Sequence, residues 1–138
     1  MPGLLLNIDV PDIDRGIAFY TIAFDLTVGR RFDDDFVELL GAPAPIYLIA
    51  NAAGTTIGPV SGDVRRYDRH WTPVHPDIVV EDLDTAIDRA IAAGAVQEGD
   101  TRSAPYGRIA TFADPFGHGF CLIEFNAAGY DALLPDGG

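Results

Sequence analysis

Apolar and polar positions alternate from Leu4 to Val10, with Leu4, Leu6, Ile8 and Val10 on one side and Leu5, Asn7 and Asp9 on the other. Side chains alternate across a strand, so this spacing predicts one apolar and one semi-polar sheet face. After Asp12 the period lengthens. Ile13, Ile17, Tyr20 and Phe24 recur at helical intervals and form one apolar stripe. Asp12 is placed to cap the helix by accepting from its free N–H groups, and Asp14 adds charge where the helix dipole favours it. Asp25 ends it in a left-handed conformation. Strands follow at Thr27–Phe32, Phe36–Leu40 and Pro45–Ala50, with turns at Asp33-Asp34-Asp35 and Gly41-Ala42-Pro43.

The order then repeats. Val10-Pro11-Asp12-Ile13-Asp14 and Val80-Glu81-Asp82-Leu83-Asp84 share one pattern seventy positions apart. Val74–Val80 predicts a strand, Asp82 a cap, and Leu83, Ile87, Ala90 and Ile91 a buried stripe closed by Gly94. Strands are expected at Val96–Glu98, Arg108–Ala113 and Phe120–Phe125, the last two joined by a turn at Asp114-Pro115-Phe116-Gly117. The chain thus divides into a first βαβββ module (1–50), a Gly/Pro/Thr/Arg/Asp-rich linker (51–72), a second module (73–126) and a tail (127–138). The tail either docks through Tyr130 and Leu133-Leu134 or frays.

The fold class is α+β. One helix covers one face of each small sheet, so two modules are expected to bring their uncovered faces together as curved sheets around a ligand-sized cavity. Whether they pair within one chain or swap between two is open. With 138 residues, 48% apolar and 22% charged, the chain is of globular composition. Its net charge of −12 lacks the basic footprint of a nucleic-acid surface and would favour a cationic ligand, although solubility alone accounts for such acidity. No apolar stretch is long enough for a membrane helix, and no signal segment is evident; Cys121 is alone, so a reducing cytoplasm is expected.

Val10-Pro11-Asp12-Ile13-Asp14-Arg15 with Ala18-Phe19-Tyr20, and Asp114-Pro115-Phe116-Gly117-His118 with Cys121-Leu122-Ile123-Glu124, resemble the vicinal oxygen chelate superfamily. This is the glyoxalase I, bleomycin-resistance and extradiol-dioxygenase group. The resemblance runs from Leu4 to about Phe125 and implies paired βαβββ modules and a homodimer. Metal-dependent members draw His, Gln or Glu ligands from the first and last strand of each module. Those places fall here on Leu5, Tyr47, His75 and Cys121. Leu has no donor atom, a phenol is a poor ligand near neutral pH, and one imidazole with one thiolate is half a zinc site. No cofactor is therefore expected. If a divalent metal binds, His75, Cys121 and Tyr47 are the candidates, with Asp77 or Asp9 able to complete an improvised shell.

The expected function is binding of a small organic molecule, cationic or aromatic, in the bleomycin-resistance manner. The alternative is a glyoxalase- or dioxygenase-type enzyme, with His75 as base or metal ligand. Asn7, Asp9, Tyr47, Trp71, Asp77 and Cys121 are the ligand-binding candidates. Several have a plainer reading. His75 could be a hydrogen-bonded residue at a strand start, and Cys121 a small buried hydrophobe. Trp71 could merely anchor the linker. Asn7 and Asp77 could pair or could satisfy nearby backbone. Glu38 is expected to be solvated rather than a cavity acid, and His118 exposed and idle. Arg65, Arg66 and Arg69 either pair with acids or hold an anion.

Overall fold

A computed structural model describes residues 1–135 and divides the chain into two compact units, Met1–Asp68 and Arg69–Gly138. In the first, β1 (Leu6–Val10) leads to α1 (Ile13–Phe24), then β2 (Thr27–Asp33), β3 (Phe36–Leu40) and β4 (Ile46–Ala50). Sheet order is β1-β4-β3-β2. β1 lies parallel to β4 with Asn7 opposite Tyr47, and β4 runs antiparallel to β3 with Tyr47 opposite Glu38. As expected, Asp12 caps α1 by accepting from the Arg15 N–H at 3.0 Å, and Asp25 closes it at φ 55°. Gly16 lets the helix close on the sheet, since a Cβ there would lie 3.1 Å from both Val10 methyls. Val10, Phe19, Val37, Leu39 and Leu48 are buried on this side. By alternation Asn7, Asp9, Tyr47 and Glu38 occupy the other face.

β1 starts two residues later than the alternation predicts. The Leu6 N–H donates to the Pro45 carbonyl at 3.0 Å, but Pro43 and Pro45 bring no N–H to extend the ladder back to Leu4 and Leu5. Segment 51–68 belongs to the first unit, with a bridge between Thr56 and Val64.

The second unit repeats the topology: β5 (Asp77–Val79), α2 (Leu83–Ala93), β6 (Val96–Gln97), β7 (Arg102–Ala104), β8 (Gly107–Ala113) and β9 (Gly119–Phe125). Order is β5-β9-β8-β6, with β7 also on β8. β5 is parallel to β9 with Asp77 opposite Cys121, the counterpart of Asn7 and Tyr47. Pro73 and Pro76 shorten the strand predicted over Val74–Val80 to three residues, leaving His75 just outside it. The edge predicted at Val96–Glu98 is longer and broken. β6 and β7 flank Glu98–Thr101, where Gly99 takes φ 80°. The turn at Asp114 forms as read, its carboxylate accepting from the N–H groups of Phe116 (2.8 Å) and His118 (2.9 Å). Tail residues Gly129–Leu133 form a 3-10 turn, and Tyr130 docks on Tyr106 and Phe125 at ring separations of 5.1 and 4.8 Å. Residues 136–138 of the tail lie outside the described residues. Among the described residues, no helix is long and apolar enough to cross a membrane.

Gly107 has φ 144°, and a Cβ there would meet the Glu124 carbonyl oxygen at 2.0 Å. Gly107→Ala should cost at least ~2 kcal/mol by urea unfolding, whereas Gly58→Ala, in open space, should stay within about 0.5 kcal/mol of wild type.

Candidate functional site

On the first module's face away from α1, β3 sets Glu38 directly beside Tyr47 of β4, and β2 brings Arg30 across them. Glu38 is 6% exposed, yet it is fully bonded. One carboxylate oxygen accepts from the Arg30 backbone N–H (3.2 Å) and Nε (3.1 Å), the other from Arg30 Nη2 (2.7 Å) and the Tyr47 hydroxyl (3.0 Å). Glu38 was expected to be solvated. The structure corrects this, and Gly29 is the reason: a Cβ there would intrude to 2.7 Å from the carboxylate. Hydrogen bonds from the Arg30 side chain and backbone hold Glu38 well below the usual carboxylate range, at about 2. The guanidinium is raised in turn by the same contact.

Arg30 remains 66% exposed, its charge 5.1 Å above the Phe32 ring. Phe32 and Phe36 lie 4.7 Å apart, and Tyr47 is 6.2 and 5.7 Å from them. Together they form a polar-edged aromatic surface. Nearby on β1, Asp9 accepts from Arg65 Nε at 2.8 Å and from the Asn51 amide at 3.1 Å. The Tyr67 hydroxyl donates to the Asn51 carbonyl at 2.6 Å, and burial followed by the Asp9 charge pushes its pKa up. Asp9 therefore fastens segment 51–68 to the sheet.

The second module places its candidates by the same parallel pairing. Asp77 and Thr111 flank Cys121 on either side in register. His75 Nε2 stands 3.3 Å from an Asp77 oxygen, and Cys121 Sγ is 3.6 Å from the Thr111 hydroxyl. Ligating atoms of His75, Asp77 and Cys121 all fall within 4.8 Å of one another. His75 Nδ1 is buried without a hydrogen-bond partner. Trp71 packs 4.6 Å from the His75 ring and lies over bare backbone at Gly119, where a Cβ would meet the indole at 2.5 Å. Arg69 sits 5.3 Å above that indole and pairs with Glu98. Burial raises the Cys121 thiol, Thr111 partly opposes this, and the Asp77 charge reinforces it. At rest Cys121 is a neutral buried thiol.

His75 thus contacts Asp77 as alternation suggests, although it precedes the strand. Leu5 lies before β1 and is 50% exposed. Asn7 sits opposite Tyr47, as Asp77 does opposite Cys121. All three arginines of the basic cluster face acids: Arg65 with Asp9, Arg66 with Asp68 at 3.9 Å and Arg69 with Glu98. His118 is half-buried in the Asp114 turn, not exposed as expected. Arg30, Phe32 and Phe36 were missed as site residues. The signal available was a glycine one residue before Arg30 on a strand otherwise fit for packing.

A family profile described as a glyoxalase-like domain matches residues 6–123. The anthracycline biosynthesis protein DnrV of Streptomyces peucetius is 34% identical over 96 residues, covering 68% of this chain and 32% of that protein. The chain therefore spans about a third of the length of the curated relative it matches. Among solved structures, a hypothetical protein from S. aureus superposes with TM-score 0.71 at 20% identity, over 90% of this chain and 94% of that one. TioX from Micromonospora gives 0.68 at 17% identity over 91% and 100%. The fosfomycin resistance protein FosX of Listeria monocytogenes, complexed with Mn(II) and sulfate, gives 0.69 at 19% over 93% and 94%. The chain belongs to the glyoxalase-like family, with structural neighbours in the glyoxalase/bleomycin resistance/dioxygenase group.

Because the folded Glu38 pKa is depressed from 4.5 to about 2, its contribution to stability is complete above pH 4.5 and is lost as pH falls toward 2. Glu38→Gln should therefore unfold more easily than wild type at neutral pH. The gap should narrow below pH 4.5 and vanish near pH 2, read from urea midpoints across that range.

Proposed function

We propose that this protein binds a flat aromatic small molecule and does so without the family's four-donor metal centre. The observation that carries the reading is the state of the first module's two ligand places. Leu5 has no donor atom, and the Tyr47 hydroxyl is committed to Glu38 and Arg30. Beside Tyr47 stand the Phe32 and Phe36 rings and an exposed guanidinium held by Glu38. Such a surface stacks a planar ring on Phe32 and Phe36 and offers Arg30 to an oxygen at its edge. Glu38 is already neutralised by Arg30, so local electrostatics favour an oxygenated aromatic over a cation. Kinship with an anthracycline biosynthesis protein supports the same chemical class. Binding alone would provide resistance by sequestration, the bleomycin-resistance mode, in a cytoplasmic homodimer.

A second reading, a glyoxalase- or dioxygenase-type enzyme, draws on the His75, Asp77 and Cys121 cluster. A metal there would act as a Lewis acid on a substrate oxygen. The donors nevertheless do not fit the family's four-ligand set, because Leu5 has none and the Tyr47 hydroxyl is committed to Glu38 and Arg30.

Calorimetry with chelator-treated protein tests the lead. Polycyclic quinones should bind more tightly than polyamines, and Phe36→Ala should weaken them about three- to tenfold. Equal or tighter binding of the cationic compounds, or binding indifferent to Phe36, would overturn it.

A further inference from the structure

Alternation along β9 puts Gly119, Cys121, Ile123 and Phe125 on the sheet face that turns away from α2, with Thr111 and Ile109 beside them on β8. Ile123 is fully buried on this face and Cys121 is 5% exposed. Two segments of the same unit lie along it: Trp71 rests on Gly119 at one end, and Tyr130 of the tail sits against Phe125 at the other. We propose that Tyr130 is a tethered stand-in for a ligand. Phe125 and Tyr106 form a seat for a single aromatic ring, which the tail fills at rest and which a small aromatic molecule takes by displacing it. The seat belongs to the second module alone and is independent of the aromatic surface on the first.

Three observations carry the site. The root of the tail is fixed, because the Asn126 amide donates to the Pro105 carbonyl at 2.8 Å and accepts from the N–H groups of Ala128 (3.1 Å) and Gly129 (3.0 Å). Gly129, at φ 56°, then turns the chain beside the Phe125 ring. The tip, by contrast, is held loosely. Tyr130 stays 52% exposed, and its ring rests edge-on against Phe125 at 4.8 Å and Tyr106 at 5.1 Å. Lastly, the phenol is aimed inward along the face: burial first, then the charges of Asp77, Tyr106 and Cys121, raise it above its ordinary value.

The segment at the opposite end is fastened by stronger contacts. Arg69 binds the Glu98 carboxylate through two donors and the Gly117 carbonyl as well, while Trp71 packs flat on Gly119 and against His75. Magnitudes therefore decide which end opens. An edge-on ring pair is worth about a two- to tenfold factor in population, so two of them close the tail by roughly 5- to 100-fold. Release of so weak a contact is local and leaves the sheet intact. A free ring competes with the tethered one once its concentration nears the effective concentration of a short tether, on the order of millimolar.

Cys121 serves only as a reporter, through its rate of alkylation by iodoacetamide in the full chain. Wild type should react slowly. Tyr130→Ala should react about 5- to 100-fold faster at an unchanged urea midpoint, so that the gain reports release of the tail and not unfolding. Tyr130→Phe, which keeps the ring, should stay within about twofold of wild type. Arg69→Ala should react more slowly than Tyr130→Ala. Millimolar p-cresol, the tyrosine side chain as a free molecule, should slow Tyr130→Ala back toward the wild-type rate. Its saturated counterpart 4-methylcyclohexanol should not. Labelling of Tyr130→Ala at the wild-type rate, a faster rate explained by a lowered urea midpoint, faster labelling in Arg69→Ala, or equal protection by the two compounds would overturn the proposal. Phe36→Ala, which removes a ring of the first module, should leave the p-cresol effect unchanged, so either reading can fail alone.

Discussion

Parallel pairing between the first and last strand of each module is the constraint from which the rest follows. It joins β1 to β4 and β5 to β9, strands dozens of residues apart in the chain, through backbone hydrogen bonds that no side chain chooses. Register then decides which side chains meet: Asn7 with Tyr47, and Asp77 with Cys121. A slip of one residue would turn all of them toward the helix side and bring Leu48 or Leu122 into their places. The helices hold the register by burying the alternate residues. Gly16 lets α1 approach Val10 and Leu48, and Glu124 accepts the Leu83 N–H at 3.0 Å, tying the start of α2 to β9.

On this common frame the modules have diverged in chemistry. The first spends its polar groups on one another. Arg30, Glu38 and Tyr47 make a closed network whose charges cancel, leaving ring faces and one guanidinium edge outward. In the second, His75 faces Asp77 and Cys121 faces Thr111, leaving a thiol raised by burial and one imidazole nitrogen without a hydrogen bond. The same topology thus yields an aromatic surface in one half and a donor cluster in the other, consistent with a fold whose function resides in its sites.

Much of the architecture was legible because it rests on local rules. Asp12 and Asp82 both cap by accepting the N–H three residues on, and Asp25 and Gly94 both end their helices with positive φ. The seventy-residue repeat carried the strand order with them. Errors arose where prolines and tertiary contacts override periodicity, as at Leu4–Leu5, at Val74–Pro76 and at the broken edge of β6 and β7. The candidate site was half legible. His75 and Asp77 could be aligned through the repeat, and Cys121 through the family resemblance of the last strand. Arg30 could not, because its partner Glu38 meets it only through strand pairing; the neighbouring Gly29 marks a close approach without saying which side chain fills it.

The closure of the Glu38 network bears on how readily the first module could take a metal-ligating residue in place of Tyr47. Exchanging Tyr47 for a carboxylate or imidazole would set a second titratable group against an acid already held at about 2 and would take away one of its donors. Freeing Arg30 to compensate would strand that acid beneath the sheet surface. Replacing any one of the three disturbs the other two, so residues 30, 38 and 47 form a coupled set in which a change of donor chemistry at one position calls for changes at its neighbours.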